Sequence, residues 1–83
     1  LLARYGGEEF MIVTPGIGHP QAVTLAERLR TLIAAAKFDA VPRVTCSFGA
    51  YQFDGDNMDS FIRHVDDLLY KAKEKGRNCV VAE

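Results

Sequence analysis

The sequence feature that most constrains the fold is a pair of glycines, Gly6 and Gly7, set between two apolar runs. Two consecutive glycines suit a two-residue hairpin turn, because the central positions of such turns tolerate or need a positive φ angle. We therefore predict that the chain opens with a β-hairpin. Its two arms are predicted at Leu1–Tyr5 and Glu9–Thr14, and the apolar residues Phe10–Val13 predict that both faces of the second arm are covered.

Two acidic residues, Glu8 and Glu9, follow the glycines where the returning strand begins. Successive strand residues point to opposite faces, so the two carboxylates are expected to flank the strand. A carboxylate at the tip of a rigid hairpin can hold a hard cation such as Mg²⁺, which prefers oxygen ligands. The alternative is that both residues are solvated acids beside a turn, and for an isolated Gly-Gly-Glu-Glu sequence that interpretation is favoured.

A first helix is predicted after the break at Pro15–Gly18. Pro20 suits the first helical position, with His19 before it at the cap, and apolar residues then recur at helical spacing. The residues predicted to face the core are Ala22, Leu25, Ala26, Leu29, Leu32, Ile33 and Ala36. The residues predicted to face outward are Gln21, Glu27, Arg28 and Arg30.

The second half of the chain predicts a strand, a helix and a closing strand. Arg43–Tyr51 is rich in β-branched and aromatic residues, and Gly49 within it predicts a bulge or a close backbone approach. Asp54–Asn57 predicts a turn that can cap the next helix, and it lacks the full twelve-residue pattern of a calcium loop. The helix is predicted at Met58–Lys75, stopped by a left-handed Gly76. A short strand at Cys79–Val81 closes the chain.

The composition is that of one small domain. The chain has 83 residues, of which 48% are hydrophobic and 25% charged, and these are ordinary values for a soluble globular protein. A formal net charge of −1 provides no basic surface for binding nucleic acid. No apolar run reaches the roughly 20 residues of a membrane span, so no membrane contact is expected from this segment. Cys46 and Cys79 stand singly and are interpreted as reduced core thiols of a cytoplasmic protein.

Three motifs resemble the signatures of one family, in the right order and over nearly the whole chain. Arg4–Phe10 resembles the hairpin of the GGDEF domain in its Gly-Gly-Glu-Glu-Phe form. Val44–Gly49 resembles the family's Val-Thr-x-Ser-x-Gly strand, and Tyr70–Asn78 resembles its helix ending in Tyr-x-Ala-Lys-x-x-Gly-Arg-Asn. The resemblance implies an α/β domain like the palm of nucleotidyl cyclases. Its ferredoxin-like, antiparallel-rich sheet is flanked by helices and here is incomplete, in the order β-β-α-β-α-β.

The resemblance also implies an activity and a set of site residues. Diguanylate cyclases of this family make cyclic di-guanylate from two GTP molecules with Mg²⁺ or Mn²⁺, and two domains face each other as a homodimer. By resemblance Glu8 is the metal ligand and a catalytic acid, Glu9 is a supporting catalytic acid, and Gly6 and Gly7 form the signature turn at the substrate. Arg28 matches an auxiliary product-binding arginine of some members.

Lys73 and Arg77 are the predicted phosphate-binding residues. They are four residues apart across a helix end, so both cationic groups are expected to reach one anion. The planar fork of an arginine and the point charge of a lysine suit a triphosphate. From this segment alone, a solvated helix end whose cations complement the helix dipole is the favoured interpretation. The resemblance favours the phosphate role.

Four further residues receive structural interpretations. Tyr70 and Asn78 belong to the same signature, and we interpret both as structural. His19 and His64 have no partner visible in the sequence, and we interpret both as surface residues.

Parts of the family's site are not found in this sequence. The family's first strand carries an aspartate and a backbone carbonyl that share the metals with the hairpin acid, and the Asn and Asp that read guanine follow it. The Arg-x-x-Asp product-inhibition motif would end immediately before Leu1. By resemblance, these missing parts imply that the chain is the C-terminal portion of the domain. Its start without Met, inside a strand-like run, suggests a piece of a longer protein.

Two other functions remain open at this point. The first is a degenerate GGDEF domain that binds GTP or cyclic di-guanylate, or docks another protein, without turnover. The intact Gly6–Phe10 motif argues against degeneracy, and the residues upstream of Leu1 would decide it. The second is a plain structural α/β domain, which would require all three motifs to be coincidental.

We expect the isolated 83-residue chain to be a dimer without cyclase activity. Its strand edges carry unpaired N–H and C=O groups that a second chain can satisfy by a symmetric or strand-exchanged contact. Half of the metal site and the groups that read guanine are absent from the sequence. Sedimentation of the purified chain, with a GTP turnover assay, tests both statements. A stable monomer contradicts the first, and measurable cyclic di-guanylate contradicts the second.

Overall fold

The elements of the fold follow the predicted order. The structure is a computed structural model and describes residues 2–4, 10–37, 44–53, 55 and 57–83. The elements are β1 (Leu2–Arg4), β2 (Phe10–Ile12), α1 (His19–Ala35), β3 (Phe48–Ala50), α2 (Met58–Glu74) and β4 (Val80–Ala82). The predicted α/β class and the order β-β-α-β-α-β are confirmed.

The strands form two separate pairs. β1 and β2 are antiparallel, whereas β3 and β4 are parallel, with Phe48 opposite Val80. Both helices pack on the parallel pair, which forms the body of the described chain. No helix among the described residues is long and apolar enough to cross a membrane.

Helix α2 supplies most of the core. Its apolar residues recur on one face, and Leu68 and Ala72 are the most buried of them, with 2% and 0% of their surface exposed. The helix begins after Asn57, whose Oδ1 accepts a hydrogen bond from the N–H of Ser60 at 2.8 Å. This side-chain cap satisfies one of the four N–H groups that a helix start leaves unpaired. The predicted helix and its capping by the end of the Asp54–Asn57 segment are confirmed, while Asp54 and Asp56 lie outside the described residues.

Helix α1 differs from its prediction in its capping residue and in one residue of its predicted core face. It begins at His19 after an N-cap at Gly18, so the predicted cap at His19 is wrong by one residue. Ala26 is buried, as predicted, but Leu32 is 61% exposed. Leu32 follows Arg28 by one helical turn and therefore lies on the same outer face, because residues four apart are neighbours on a helix.

Gly49 brings β3 into direct contact with the backbone of α2. A Cβ atom at this position would lie 2.5 Å from the backbone nitrogen of Leu69 and 2.7 Å from the carbonyl oxygen of Val65. Neither atom can rotate away as a side chain can. The predicted close approach at Gly49 is confirmed.

The hairpin strand β2 is more exposed than predicted. Phe10 is 64% exposed, Ile12 46% and Val13 43%, so the prediction that both faces are covered is wrong for this chain. The physical reason is that none of the other described helices and strands packs against β1 or β2. Arg4 is paired with Phe10 in antiparallel register, which agrees with the predicted arms Leu1–Tyr5 and Glu9–Thr14.

The residue that follows β4, Glu83, is held by a histidine for which the sequence showed no partner. The ring of His64 stacks on Tyr51, with centroids 4.3 Å apart and planes 8° apart. Its Nε2 lies 3.2 Å from the carboxylate of Glu83, and the N–H of Glu83 donates to the carbonyl of Ala50 at 3.3 Å. His64 is thus a surface residue, as interpreted, with 43% of its side chain exposed, and it has partners that the sequence did not show. Its partners come from two segments that are distant from it in sequence.

The strands of the parallel pair also shift from their predicted bounds. β3 covers three residues of the predicted Arg43–Tyr51, and β4 begins one residue later than predicted. Ser47, which directly precedes β3, uses its hydroxyl to bind the N–H of Asn78.

Gly49→Ala should lower the free energy of unfolding by about 1–3 kcal/mol, the usual cost of overpacking a core. The new methyl group would meet the backbone of α2, so the helix itself would have to move. Urea-induced unfolding of wild type and variant measures the difference. Gly18→Ala is the matched control, because the nearest atom there is the Oε1 of Gln21 at the end of a flexible side chain. Equal losses for both variants would contradict a special role for Gly49.

Candidate functional site

The candidate site begins where α2 ends. The N–H of Gly76 donates to the carbonyl of Lys73 at 3.3 Å, and the N–H of Arg77 donates to the carbonyl of Ala72 at 3.1 Å. This pair of bonds is the Schellman arrangement, which satisfies carbonyls that a helix end leaves free. Gly76 has a φ of +111°, so the predicted left-handed stop is confirmed.

The two residues after Gly76 are also left-handed. Arg77 has a φ of +65° and Asn78 a φ of +49°. We call residues Gly76–Asn78 the left-handed turn. For an L-residue this conformation costs roughly 1–2 kcal/mol relative to the right-handed one, although asparagine tolerates it better than most residues. The turn therefore needs contacts that compensate for the strain.

Asn78 receives those contacts from two sides. Its N–H donates to the hydroxyl of Ser47 at 3.1 Å. On the other side, the Nη1 of Arg30 donates to the Oδ1 of Asn78 at 3.3 Å and to its backbone carbonyl at 3.5 Å. The structural role predicted for Asn78 is confirmed.

Arg30 itself is oriented by Glu27 in the preceding turn of α1. Its Nε and Nη2 donate to the two carboxylate oxygens of Glu27, both at 3.3 Å. The Arg30 side chain is 25% exposed, so its prediction as an outward-facing residue is wrong. Helical spacing placed Arg30 next to the residues of α1 that are predicted to face the core. Its partner Asn78 lies 48 residues later in the chain, so no local sequence pattern connects the two.

The left-handed turn then leads into β4. The Sγ of Cys79 lies 3.4 Å from the carbonyl of Ala72, and the carbonyl of Cys79 accepts a hydrogen bond from the N–H of Phe48 at 2.9 Å. Cys79 is thus a free, partly buried thiol that packs against the helix end. Its interpretation as a reduced core thiol agrees with this position.

The predicted phosphate-binding residues lie on either side of the helix end. Lys73 is half-buried in the last turn of α2, whereas Arg77 is exposed within the left-handed turn. Because α2 ends at Glu74, the two are not on one continuous helical face, and the spacing argument for a shared anion does not follow from helix geometry. Their joint action on one phosphate stays a prediction.

At this helix end, any binding of an anion depends on side chains. The C-terminus of a helix carries a partial negative charge, which opposes a bound phosphate. Four cationic residues surround it: Lys71, Lys73, Lys75 and Arg77. Their positive charge first offsets the partial negative charge of the helix end. Any affinity for a phosphate must come from the positive charge that remains.

Tyr70 precedes this cationic end and is 61% exposed. A side chain so exposed contributes little to the core, so its interpretation as a structural residue is not supported by burial.

Arg28 lies on the outer face of α1. It lines a shallow surface depression of about 340 Å³ together with Thr24, Glu27, Thr31 and Leu32. The depression combines one arginine and one glutamate with apolar and hydroxyl groups. Product binding by Arg28 stays a prediction.

The remaining predicted site residues, Gly6, Gly7, Glu8 and Glu9, lie outside the described residues. The strands on either side of them are described, since Arg4 of β1 is paired with Phe10 of β2. Within the described part of the chain, no three His, Cys, Asp or Glu side chains come together as a possible metal site.

Comparison with known proteins identifies the family. The model of the family "Diguanylate cyclase, GGDEF domain" matches residues 1–79. Diguanylate cyclase DgcM of Escherichia coli is 40% identical over 83 residues, which cover 99% of this chain and 20% of that protein. Response regulator PleD of Caulobacter vibrioides is 34% identical over 90 residues, covering all of this chain and 20% of that protein.

A third relative has the same extent of match. The probable diguanylate cyclase DgcT of Escherichia coli is 43% identical over 88 residues, which cover 98% of this chain and 20% of that protein. The chain thus spans about a fifth of the length of the curated relatives it matches. Because the family model covers almost all of its residues, including the hairpin, the strand at Gly49 and the left-handed turn, the chain belongs to the GGDEF domain family of diguanylate cyclases.

Proposed function

We propose that this chain is part of the catalytic domain of a diguanylate cyclase, which joins two GTP molecules into cyclic di-guanylate. The observation that supports this most directly is the family match over residues 1–79, which includes both the acidic hairpin motif and the left-handed turn. In the reaction, the 3′-hydroxyl of each GTP attacks the α-phosphate of the other. Two P–O bonds form, two pyrophosphates leave, and each attacking hydroxyl loses its proton.

The hairpin acids are proposed to act at the attacking hydroxyl. Glu8 supplies carboxylate oxygens, which are the donors that Mg²⁺ or Mn²⁺ prefers, and so it fits the role of metal ligand. When bound, the metals stabilise the attacking and leaving oxygens of the in-line displacement. Glu9 supports the same site, and Gly6 and Gly7 leave room for the substrate to approach the backbone.

The cationic end of α2 is proposed to bind the phosphates. Arg77 is exposed, and its guanidinium can form two parallel hydrogen bonds to phosphate oxygens. Lys73 adds a second positive charge from the last helical turn. Both charges would offset the negative charge that builds up on the phosphates during transfer.

The proposed assembly is a homodimer of GGDEF domains, each presenting one GTP to the other. The chemistry supports this arrangement, since each nucleotide serves as both nucleophile and electrophile. The proposed location is the cytoplasm, where GTP is available.

Glu8→Ala tests the role of the acidic hairpin in a full-length protein that contains this sequence. We expect synthesis of cyclic di-guanylate from GTP and Mg²⁺ to fall to background, because the metal loses a carboxylate ligand, while the thermal unfolding midpoint stays unchanged. Asp67→Ala, which removes an exposed carboxylate from α2, is the control and should retain activity. A folded Glu8→Ala protein with near-normal turnover would exclude Glu8 from catalysis.

Lys73→Ala/Arg77→Ala tests the phosphate role. We expect weaker GTP binding by titration calorimetry, since hydrogen bonds to charged groups contribute roughly 1.5–3 kcal/mol each. Lys71→Ala/Lys75→Ala removes the same number of charges from the same helix end and is the matched control, which should change GTP affinity much less. Similar effects of the two double variants would mean that only the overall positive charge matters.

A further inference from the structure

The left-handed turn holds Arg77 in a conformation that the residue would not adopt by itself. Arg77 has a φ of +65° and is followed by a second left-handed residue, Asn78. Non-glycine residues persist in this region when surrounding contacts leave the backbone no alternative. The residues that provide those contacts therefore fix the backbone position from which the Arg77 side chain extends.

Arg30 provides the contact from the α1 side. Its planar guanidinium uses one edge for the carboxylate of Glu27 and its remaining nitrogen, Nη1, for the Oδ1 and carbonyl of Asn78. A guanidinium held at two edges has a defined direction, which a flexible lysine ammonium would not have. The Arg30 side chain is also only 25% exposed, so its partly buried hydrogen bonds to Asn78 are less screened than those on the open surface.

The contacts on the two sides of Arg77 belong to different elements. Gly76 before it is bonded to the carbonyl of Lys73 in α2, and Asn78 after it is bonded to Ser47 and Arg30. The backbone of Arg77 is thus fixed at both neighbours, while its side chain remains exposed to solvent.

We infer that Arg30 is a positioning residue for phosphate recognition, which fixes the left-handed turn so that Arg77 presents its guanidinium to the triphosphate of GTP. This inference rests on the proposed function, because it assumes that Arg77 binds phosphate. Arg30 acts through Asn78 and does not itself contact the nucleotide. A bidentate arginine contact depends on direction as well as charge, so loss of the anchor weakens binding even though Arg77 is still present.

A double-mutant cycle in a full-length protein that contains this sequence tests the inference. The proteins compared are wild type, Arg30→Met, Arg77→Ala and the double variant, and the measurement is Mg²⁺·GTP affinity by titration calorimetry. We expect Arg30→Met to weaken binding by about tenfold, equivalent to about 1.4 kcal/mol. In the Arg77→Ala background, Arg30→Met should have no further effect, since coupled residues are not additive.

Two additional variants and one control keep the test decisive if Arg30→Met unfolds the protein. Asn78→Gly preserves the left-handed backbone but removes the Oδ1 acceptor, and we expect it to weaken GTP binding in the Arg77 background and not in the Arg77→Ala background. Arg30→Lys retains one charge without the fork and should restore part of the affinity. Arg63→Met makes the same substitution at an exposed arginine of α2 and should leave GTP affinity unchanged.

The outcomes separate this inference from the proposed function. If Arg77→Ala alone leaves GTP affinity unchanged, the proposed phosphate role of Arg77 fails, and this inference fails with it. If Arg77→Ala weakens binding but Arg30→Met and Asn78→Gly do not, the proposed role of Arg77 stands and the positioning role is overturned. Equal losses from Arg30→Met in both backgrounds also overturn it, because Arg30 would then act on the fold in general.

Discussion

The hydrogen bonds between Arg30 and Asn78 join parts of the chain that local structure cannot connect. They tie the middle of α1 to the residues between α2 and β4, and Ser47 adds a tie to the segment before β3. These polar contacts matter because the apolar core is small: within the described part of the chain, the buried apolar residues are Ala26, Leu68 and Ala72. A chain of this length is only marginally stabilised by burial. Specific hydrogen bonds therefore set the relative position of its elements to an unusual degree.

The proposed chemistry divides between two structural parts. The cationic residues belong to the body formed by α1, α2 and the parallel strands, whereas the acidic motif belongs to the hairpin, whose described strands do not pack against that body. The cationic part lies at the C-terminus of a helix, in contrast to the helix N-termini that many proteins use to bind phosphate with backbone N–H groups. Recognition at this end depends on side chains, so it is sensitive to salt and to the direction in which each side chain points.

Local sequence patterns were sufficient to predict the features that local physics determines. The two helices, the close approach at Gly49 and the left-handed stop at Gly76 follow from periodicity and from the conformational freedom of glycine. Features that depend on distant partners were missed. The partner of Arg30 is 48 residues away, and exposure of β2 depends on what packs against the hairpin. The acidic residues of the site were recognised through family resemblance, since a short acidic turn has no distinctive pattern of its own.

The contact at Gly49 has a mechanical consequence. The distance between β3 and α2 is limited there by backbone atoms of both elements, because the Cβ position is already filled by the nitrogen of Leu69 and the carbonyl of Val65. Backbone atoms have no alternative rotamers, so this spacing cannot relax in the way that a side-chain contact can. The contact sets the smallest separation that β3 and α2 can reach, so compression elsewhere in the core is expected to rotate the helix about this point more readily than to bring the two elements closer together.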